Sequence, residues 1–151
     1  MIEYEYSKNV KDLDKYIDYC KKNNYIFKEK IEQKRIIYRK NDNTIARITI
    51  NKINNKIYKY LDFKEDKLND ELNIRKETKE LEFNDEKIIY SILDFLGYKK
   101  DNTLERIRYV YIKENITFEL DKYTKPKICN VLSVEGKKNI VDKVWEEVKK
   151  I

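Results

Sequence analysis

The chain has 151 residues, a net charge of +6, pI ≈ 9.0 and 41% charged residues, so a single domain spanning 1–151 with a mixed-sign surface is expected, not a basic carpet. It has no histidine, two cysteines and two glycines, which excludes imidazole catalysis, histidine-held zinc, a disulfide framework and glycine-rich phosphate loops. No secretory leader or long apolar run is legible, so a cytoplasmic protein with no membrane partner is expected.

Thirteen tyrosines, together with many isoleucines, supply core bulk that the mean hydropathy of −0.88 conceals. In chain order, residues 1–8 alternate Ile2, Tyr4 and Tyr6 against Glu3, Glu5 and Ser7, a strand pattern. Residues 10–23 place Val10, Leu13, Ile17 and Cys20 on one helical face. Residues 25–40 read as one or two strands, and 44–53, 56–64 and 71–83 as three more. Asn23-Asn24, Asn41-Asp42-Asn43 and Asn54-Asn55 mark turns, because asparagine tolerates positive φ. Asp85 caps a second helix with Ile88, Ile89, Ile92, Leu93 and Leu96 inward, and Gly97 closes it. Strands follow over 104–113, 115–123 and 127–134, the first two joined at Glu114-Asn115. A last helix over 138–149 buries Ile140, Val144, Trp145 and Val148. The expected class is α+β: a closed antiparallel β-barrel of about eight strands, forming a tunnel, with about three flanking helices. Trp145 is expected to pack in the core, and Cys20 and Cys129 to behave as small hydrophobes.

The polar strand faces are unusual. Glu3 and Glu5 share a face, as residues two apart do. So do Asp62 and Lys64, then Arg75, Glu77 and Lys79, then Arg106 and Arg108. Thr117, Glu119 and Asp121 follow, then Ser133 and Glu135. Two readings are open: the solvated outside of a sheet, or the lining of a barrel. Arginine use favours the lining. Only six of the 34 basic residues are arginine, and Arg47, Arg75, Arg106 and Arg108 fall on the alternating faces. Arginine offers a planar fork for phosphate where lysine offers a point charge. Arg35 and Arg39 fit a tunnel mouth or the outer surface equally well. The interleaved acids and the apolar phase of the tyrosines disfavour nucleic acid as a partner.

Glu3-Tyr4-Glu5, Ala46-Arg47-Ile48-Thr49, Tyr60-Leu61-Asp62-Phe63-Lys64, Arg75-Lys76-Glu77, the Leu-Gly-Tyr-Lys turn before Arg106-Ile107-Arg108, Phe118-Glu119-Leu120-Asp121 and Val134-Glu135-Gly136 occur in an order that resembles the CYTH superfamily of triphosphate tunnel metalloenzymes. That resemblance implies a phosphohydrolase acting on a triphosphate-bearing small molecule: tripolyphosphate, a nucleoside triphosphate or thiamine triphosphate. It implies Glu3, Glu5 and Glu135 as ligands of Mg²⁺ or Mn²⁺, and Arg47, Lys64, Arg75, Arg106 and Arg108 as phosphate contacts. Glu77 or Asp121 would position the attacking water. The chain departs from the family pattern at Ser7, where a lysine is usual, and at Ser133, Thr49 and Lys79. Lys79 is the candidate to replace the missing lysine in catalysis. A class IV-like adenylyl cyclase and a non-catalytic polyphosphate- or nucleotide-binding tunnel are the alternatives, and a homodimer is allowed for.

Overall fold

The computed structural model describes the backbone of residues 2–69 and 72–151 and the side chains of 3–65 and 76–151. Among the described residues, nine strands and three helices are formed in the order β1 (Ile2–Val10), α1 (Asp14–Lys22), β2 (Ile26–Arg39), β3 (Thr44–Ile53), β4 (Lys56–Asn69), β5 (Leu72–Glu77), β6 (Leu81–Glu82), α2 (Glu86–Phe95), β7 (Lys99–Lys113), β8 (Ile116–Lys125), β9 (Cys129–Gly136) and α3 (Lys138–Val148). All the strands belong to one antiparallel sheet, ordered β3-β2-β7-β8-β9-β1-β5-β4-β6.

The sheet curls strongly into a half-barrel and does not form the closed tunnel expected from the strand count. The reason lies on β4. Its residues 56–65 pair with β3, whereas 64–69 pair with β5. Only Lys64 and Glu65 have neighbours in both strands, so the wall is stitched at one short seam. Farther back, the free side of β4 meets just the two residues of β6, at Tyr60 and Leu61.

Apolar strand faces point outward, beneath the helices. Tyr16 and Cys20 of α1 and Val141, Trp145 and Val148 of α3 pack on Phe118, Leu120, Leu132 and Val134, and Trp145 stacks on Tyr6 at 5.2 Å. On the other side, Ile89 and Leu93 of α2 cover Ile36, Ala46, Ile48 and Leu61. Ile88, Ile92 and Leu96 lie on the outer side of α2 and are substantially exposed, which corrects their inward assignment. Ile89 and Leu93, four apart, are the stripe that meets the sheet.

Local chemistry sets most boundaries. Asp85 accepts from the backbone N–H groups of Lys87 and Ile88, and Gly97, at φ 85°, lets the Tyr98 N–H return to the Leu93 carbonyl. Asn54 and Asn55 both take positive φ, the requirement of a two-residue hairpin turn. Asn23-Asn24, expected between strands, instead ends α1, with the Asn23 side chain donating to the Tyr19 carbonyl. Val10 belongs to β1 rather than to the first helix. The strand expected over 71–83 breaks at 78–80, where Thr78 donates its N–H to the Phe63 carbonyl and accepts from the Phe63 N–H through Oγ1. No helix among the described residues is long and apolar enough to cross a membrane.

Candidate functional site

With the apolar faces turned out, the polar faces of the strands share one concave space. It is a cavity of about 780 Å³. All ten sequence-predicted site residues with described side chains line it: Glu3, Glu5, Arg47, Lys64, Glu77, Lys79, Arg106, Arg108, Asp121 and Glu135. Arg75 pairs with Glu3 and Asp66 through the backbone, and its side chain lies outside the described residues. Lys79 is exposed and sits in the break after β5, so it does not extend the Glu77 strand face as the alternation suggested. Arg35 and Arg39 also face the cavity, which decides between the mouth and the outer surface.

Two arginines are held by acids. Arg47, 4% exposed, donates from Nε to Asp62 Oδ1 at 3.0 Å and from Nη2 to Asp62 Oδ2 and to Glu77 Oε1, the last at 3.2 Å. Arg47 and Asp62 are direct cross-strand partners on β3 and β4. Arg108 donates from Nε and Nη2 to the two oxygens of Asp121, at 2.8 and 2.9 Å, and from Nη1 to Glu119 at 2.7 Å. Burial alone would depress the Arg108 guanidinium, yet Glu119 and Asp121 outweigh it and lift it well above its ordinary range. Burial likewise pushes the Asp121 carboxyl up, but the charge and hydrogen bond of Arg108, with Arg106 and Arg35, hold it below the usual carboxylate value.

Two other arginines are held by neutral groups. Arg106 donates from Nε to Gln33 Oε1 at 2.7 Å and from Nη1 to the Tyr123 hydroxyl. Gln33 in turn donates to Asn51 Oδ1 at 2.9 Å, which fixes its amide with the oxygen toward the arginine. These four residues form a cross-strand row over β3, β2, β7 and β8. Asp121 stands 3.6 Å from Arg106 Nη1, beyond hydrogen-bond length. Nη2 of Arg106 is buried with no hydrogen-bond partner among the described residues, a costly state that calls for an acceptor. Burial first, then the repulsion of Arg108, lowers the Arg106 guanidinium, and Asp121, Tyr123 and Glu119 only partly offset them. Arg35 donates from Nε to Thr49 Oγ1 at 3.1 Å.

Across the cavity, Glu5, Glu119 and Glu135 bring carboxylate oxygens within 4.8 Å of one another. They stand on three adjacent strands, with Glu5 opposite Glu135 and Glu119 opposite Ser133. Glu5 and Glu135 of the expected trio lie in this cluster together with Glu119, and Glu3 lines the same cavity beside it. Like charges this close are unfavourable unless a cation joins them. An all-oxygen, anionic donor set suits a hard divalent ion such as Mg²⁺ or Mn²⁺. The acids Glu119, Asp62 and Glu80 and the positioning groups Gln33, Thr49 and Tyr123 were absent from the sequence-derived site. Glu119 was legible from its phase beside Asp121, whereas Gln33 carries no charge to draw notice and Thr49 stood out only as a departure from the family pattern. Burial, with Asp62 and Glu77 nearby, raises the Glu80 carboxyl despite Arg35 and Arg47.

No protein-family model and no curated protein matches the chain. Solved structures do. The PH1012 protein of Pyrococcus horikoshii OT3 superposes with a TM-score of 0.79 at 22% identity, over 98% of this chain and 88% of that one. A candidate adenylyl cyclase from Hippeastrum, HpAC1, described as having a dominant triphosphatase activity, gives 0.69 at 14% identity, over 98% and 86%. A chain of the Schizosaccharomyces pombe Mediator head module gives 0.68 at 11%, over 99% and 94%. The chain therefore shares the fold of these structures, a candidate adenylyl cyclase among them. A fold held in common by a cyclase-like protein and a Mediator component does not by itself decide the chemistry, which has to be argued from the site.

Proposed function

We propose that the protein is a divalent-cation-dependent phosphohydrolase that binds a linear triphosphate, whether tripolyphosphate, a nucleoside triphosphate or thiamine triphosphate. The observation that carries this reading is one cavity holding both the unpartnered Arg106 Nη2 and the Glu5, Glu119 and Glu135 cluster. Nine carboxylates against seven cations line the cavity among the described residues. Such a wall does not attract a polyanion by net charge, and a bound divalent cation would shift that balance. Glu5, Glu119 and Glu135 would hold Mg²⁺ or Mn²⁺, with Glu3 beside them. When bound, the ion supplies charge neutralisation of phosphoryl oxygens.

The protein's own groups do the rest by position and charge, as phosphoryl transfer requires. Arg106 and Lys64, with Arg47, Arg108 and Arg75, would bind and align the phosphate chain. Asp121 has both oxygens on Arg108 and is 1% exposed, so we assign it to holding the arginines. Glu77, part-exposed on the wall and bonded to Arg47, is assigned to orienting the attacking water. The description of the Hippeastrum relative as a dominant triphosphatase supports hydrolysis over cyclisation.

The test is phosphate release from tripolyphosphate, ATP and thiamine triphosphate with Mg²⁺ or Mn²⁺, with cyclic AMP measured in the same reactions. Metal-dependent phosphate release that Glu5→Gln and Glu135→Gln abolish is expected. Cyclic AMP as the main product would make the protein a cyclase. Metal-dependent binding without turnover would make it a binding tunnel, the reading that Ser7 and Ser133, paired opposite each other on β1 and β9, favour.

A further inference from the structure

The four arginines described above differ in what holds them, and the difference sorts their tasks. Arg47 and Arg108 spend their donors on carboxylates. A phosphate approaching either must compete with an acid already in place at hydrogen-bond distance. Arg106 and Arg35 instead donate their side-chain hydrogen bonds to neutral acceptors, and Arg106 alone has a carboxylate, Asp121, at the longer distance of 3.6 Å. For Arg35 the sole side-chain hydrogen bond among the described residues is Nε to Thr49 Oγ1. No carboxylate among the described residues pairs with it, and its two terminal nitrogens remain as a fork.

Position agrees with this. Arg35 and Thr49 face each other across β2 and β3, while Gln33, two residues earlier on the same face, meets Arg106 across β2 and β7. Arg35 faces Leu104 on β7, so Arg106 is its diagonal neighbour, roughly 7–8 Å away between backbones. Two long side chains at that spacing can share one phosphate chain. The surroundings make the need for an anion acute. Burial, then Arg106, Arg47 and Arg108, press against the Arg35 charge, and Asp62, Asp121 and Glu80 offset them only in part. A guanidinium does not relieve such a field by losing its proton.

We propose that Arg35, positioned by Thr49, is a phosphate-binding residue that works with Arg106 as the receiving guanidinium pair, while Arg47 and Arg108 mainly organise the wall. This deepens the triphosphate reading above and rests on it.

The experiment is calorimetric titration with tripolyphosphate in Mg²⁺ at fixed ionic strength, with thermal melting of each variant in the absence of phosphate. Arg35→Ala should weaken binding by about tenfold or more, the scale of one charged hydrogen bond. It should melt no lower than wild type, because it removes a cation crowded by other cations. Thr49→Val should weaken binding several-fold and Thr49→Ser should restore it. Thr49→Val should add nothing to Arg35→Ala, since the hydroxyl acts only through the arginine. Lys34→Ala, which deletes a cation on the outer face of the same strand, should leave binding unchanged. Wild-type affinity in Arg35→Ala, or an equal loss in Lys34→Ala, overturns the assignment and leaves the triphosphate reading standing. A wild-type protein that binds no tripolyphosphate would overturn the triphosphate reading itself.

Discussion

Replacing Asp121 by asparagine tests whether the cavity wall is built on charge or on shape. The side chain keeps its size, but one oxygen becomes an NH₂ group facing a guanidinium N–H, so two donors meet where a donor met an acceptor. Arg108 loses its bidentate partner, and Arg106 loses the negative charge at 3.6 Å. Asp121 is 1% exposed, so water cannot replace what is lost. Removing one partner of a buried pair costs about 3–5 kcal/mol, which for a domain of this size lowers the melting temperature by roughly 6–20 °C. The pH dependence supplies a second readout. The folded carboxyl lies below its ordinary 3.8, so its contribution is present above that value and is lost as pH falls through the folded one. The gap between wild type and Asp121→Asn, wide at pH 7, should close as pH falls below about 3.8. Urea unfolding followed at pH 7 and again near pH 3 would measure it. A loss under about 1 kcal/mol at pH 7, the range of a solvated surface pair, would refute the argument that this wall is dry and charge-built.

Three further outcomes follow from other parts of the molecule. Gly136→Ala should destabilise by about 1–3 kcal/mol in urea unfolding, because the added Cβ would meet the Asn115 carbonyl oxygen at 2.5 Å, a backbone atom that cannot step aside. Stability should also fall as pH rises from about 9 toward 12, since burial pushes the Cys20 thiol up from 9.0 to about 12 and the Tyr25 phenol from 10.0 to about 12; the unfolded chain ionises first, and Cys20→Ala should flatten the decline measured between those limits. Ser7→Lys, which extends a cation into the cavity from β1, should raise metal-dependent phosphate release by about tenfold if a missing cation limits the rate, and an unchanged rate would remove that account of Ser7.

The alternation of Glu3, Glu5, Arg47, Arg106, Arg108 and Asp121 against apolar neighbours was legible because a strand has a period of two and the composition left arginine scarce. It predicted which faces meet, since a face with two or three charges must border water or compensating charge. Barrel closure was not legible. Whether β4 pairs with β3 and β5 side by side or end to end depends on strand stagger, to which the pattern of one strand is blind. The outward tilt of Ile88 and Ile92 was missed for a related reason: α2 is apolar on more of its circumference than the sheet can cover. Gln33 escaped notice, and Thr49 was seen only as a departure from the family pattern, because a neutral residue acquires its role only from the strand across from it, and strand pairing is a tertiary fact.

The inversion of the sheet, with apolar faces out under helices and charged faces in, gives the cavity two kinds of arginine, and the distinction bears on how an acid-rich wall can take up an anion. Where acids outnumber cations, uniform pairing of every arginine with a carboxylate would leave a neutralised lining with no affinity for phosphate. Here the pairing is uneven. Asp62 and Glu77 take three hydrogen bonds from Arg47, and Glu119 and Asp121 take three from Arg108, which fixes the wall. Arg106 and Arg35 have their hydrogen bonds to Gln33, Tyr123 and Thr49, neutral groups that hold a guanidinium in place, with Asp121 at 3.6 Å the one nearby carboxylate among the described residues, on Arg106. Glu119 links the two halves of the arrangement, since it binds Arg108 and also belongs to the cluster with Glu5 and Glu135. A cation arriving at that cluster would draw on the same carboxylate that steadies Arg108. Metal and polyanion affinity should therefore be coupled, each strengthening the other as linkage requires. Titrating tripolyphosphate at increasing Mg²⁺ should tighten its binding in wild type, and Glu119→Gln should weaken that dependence. Affinity that ignores Mg²⁺ in both proteins would mean that the two halves of the cavity act independently.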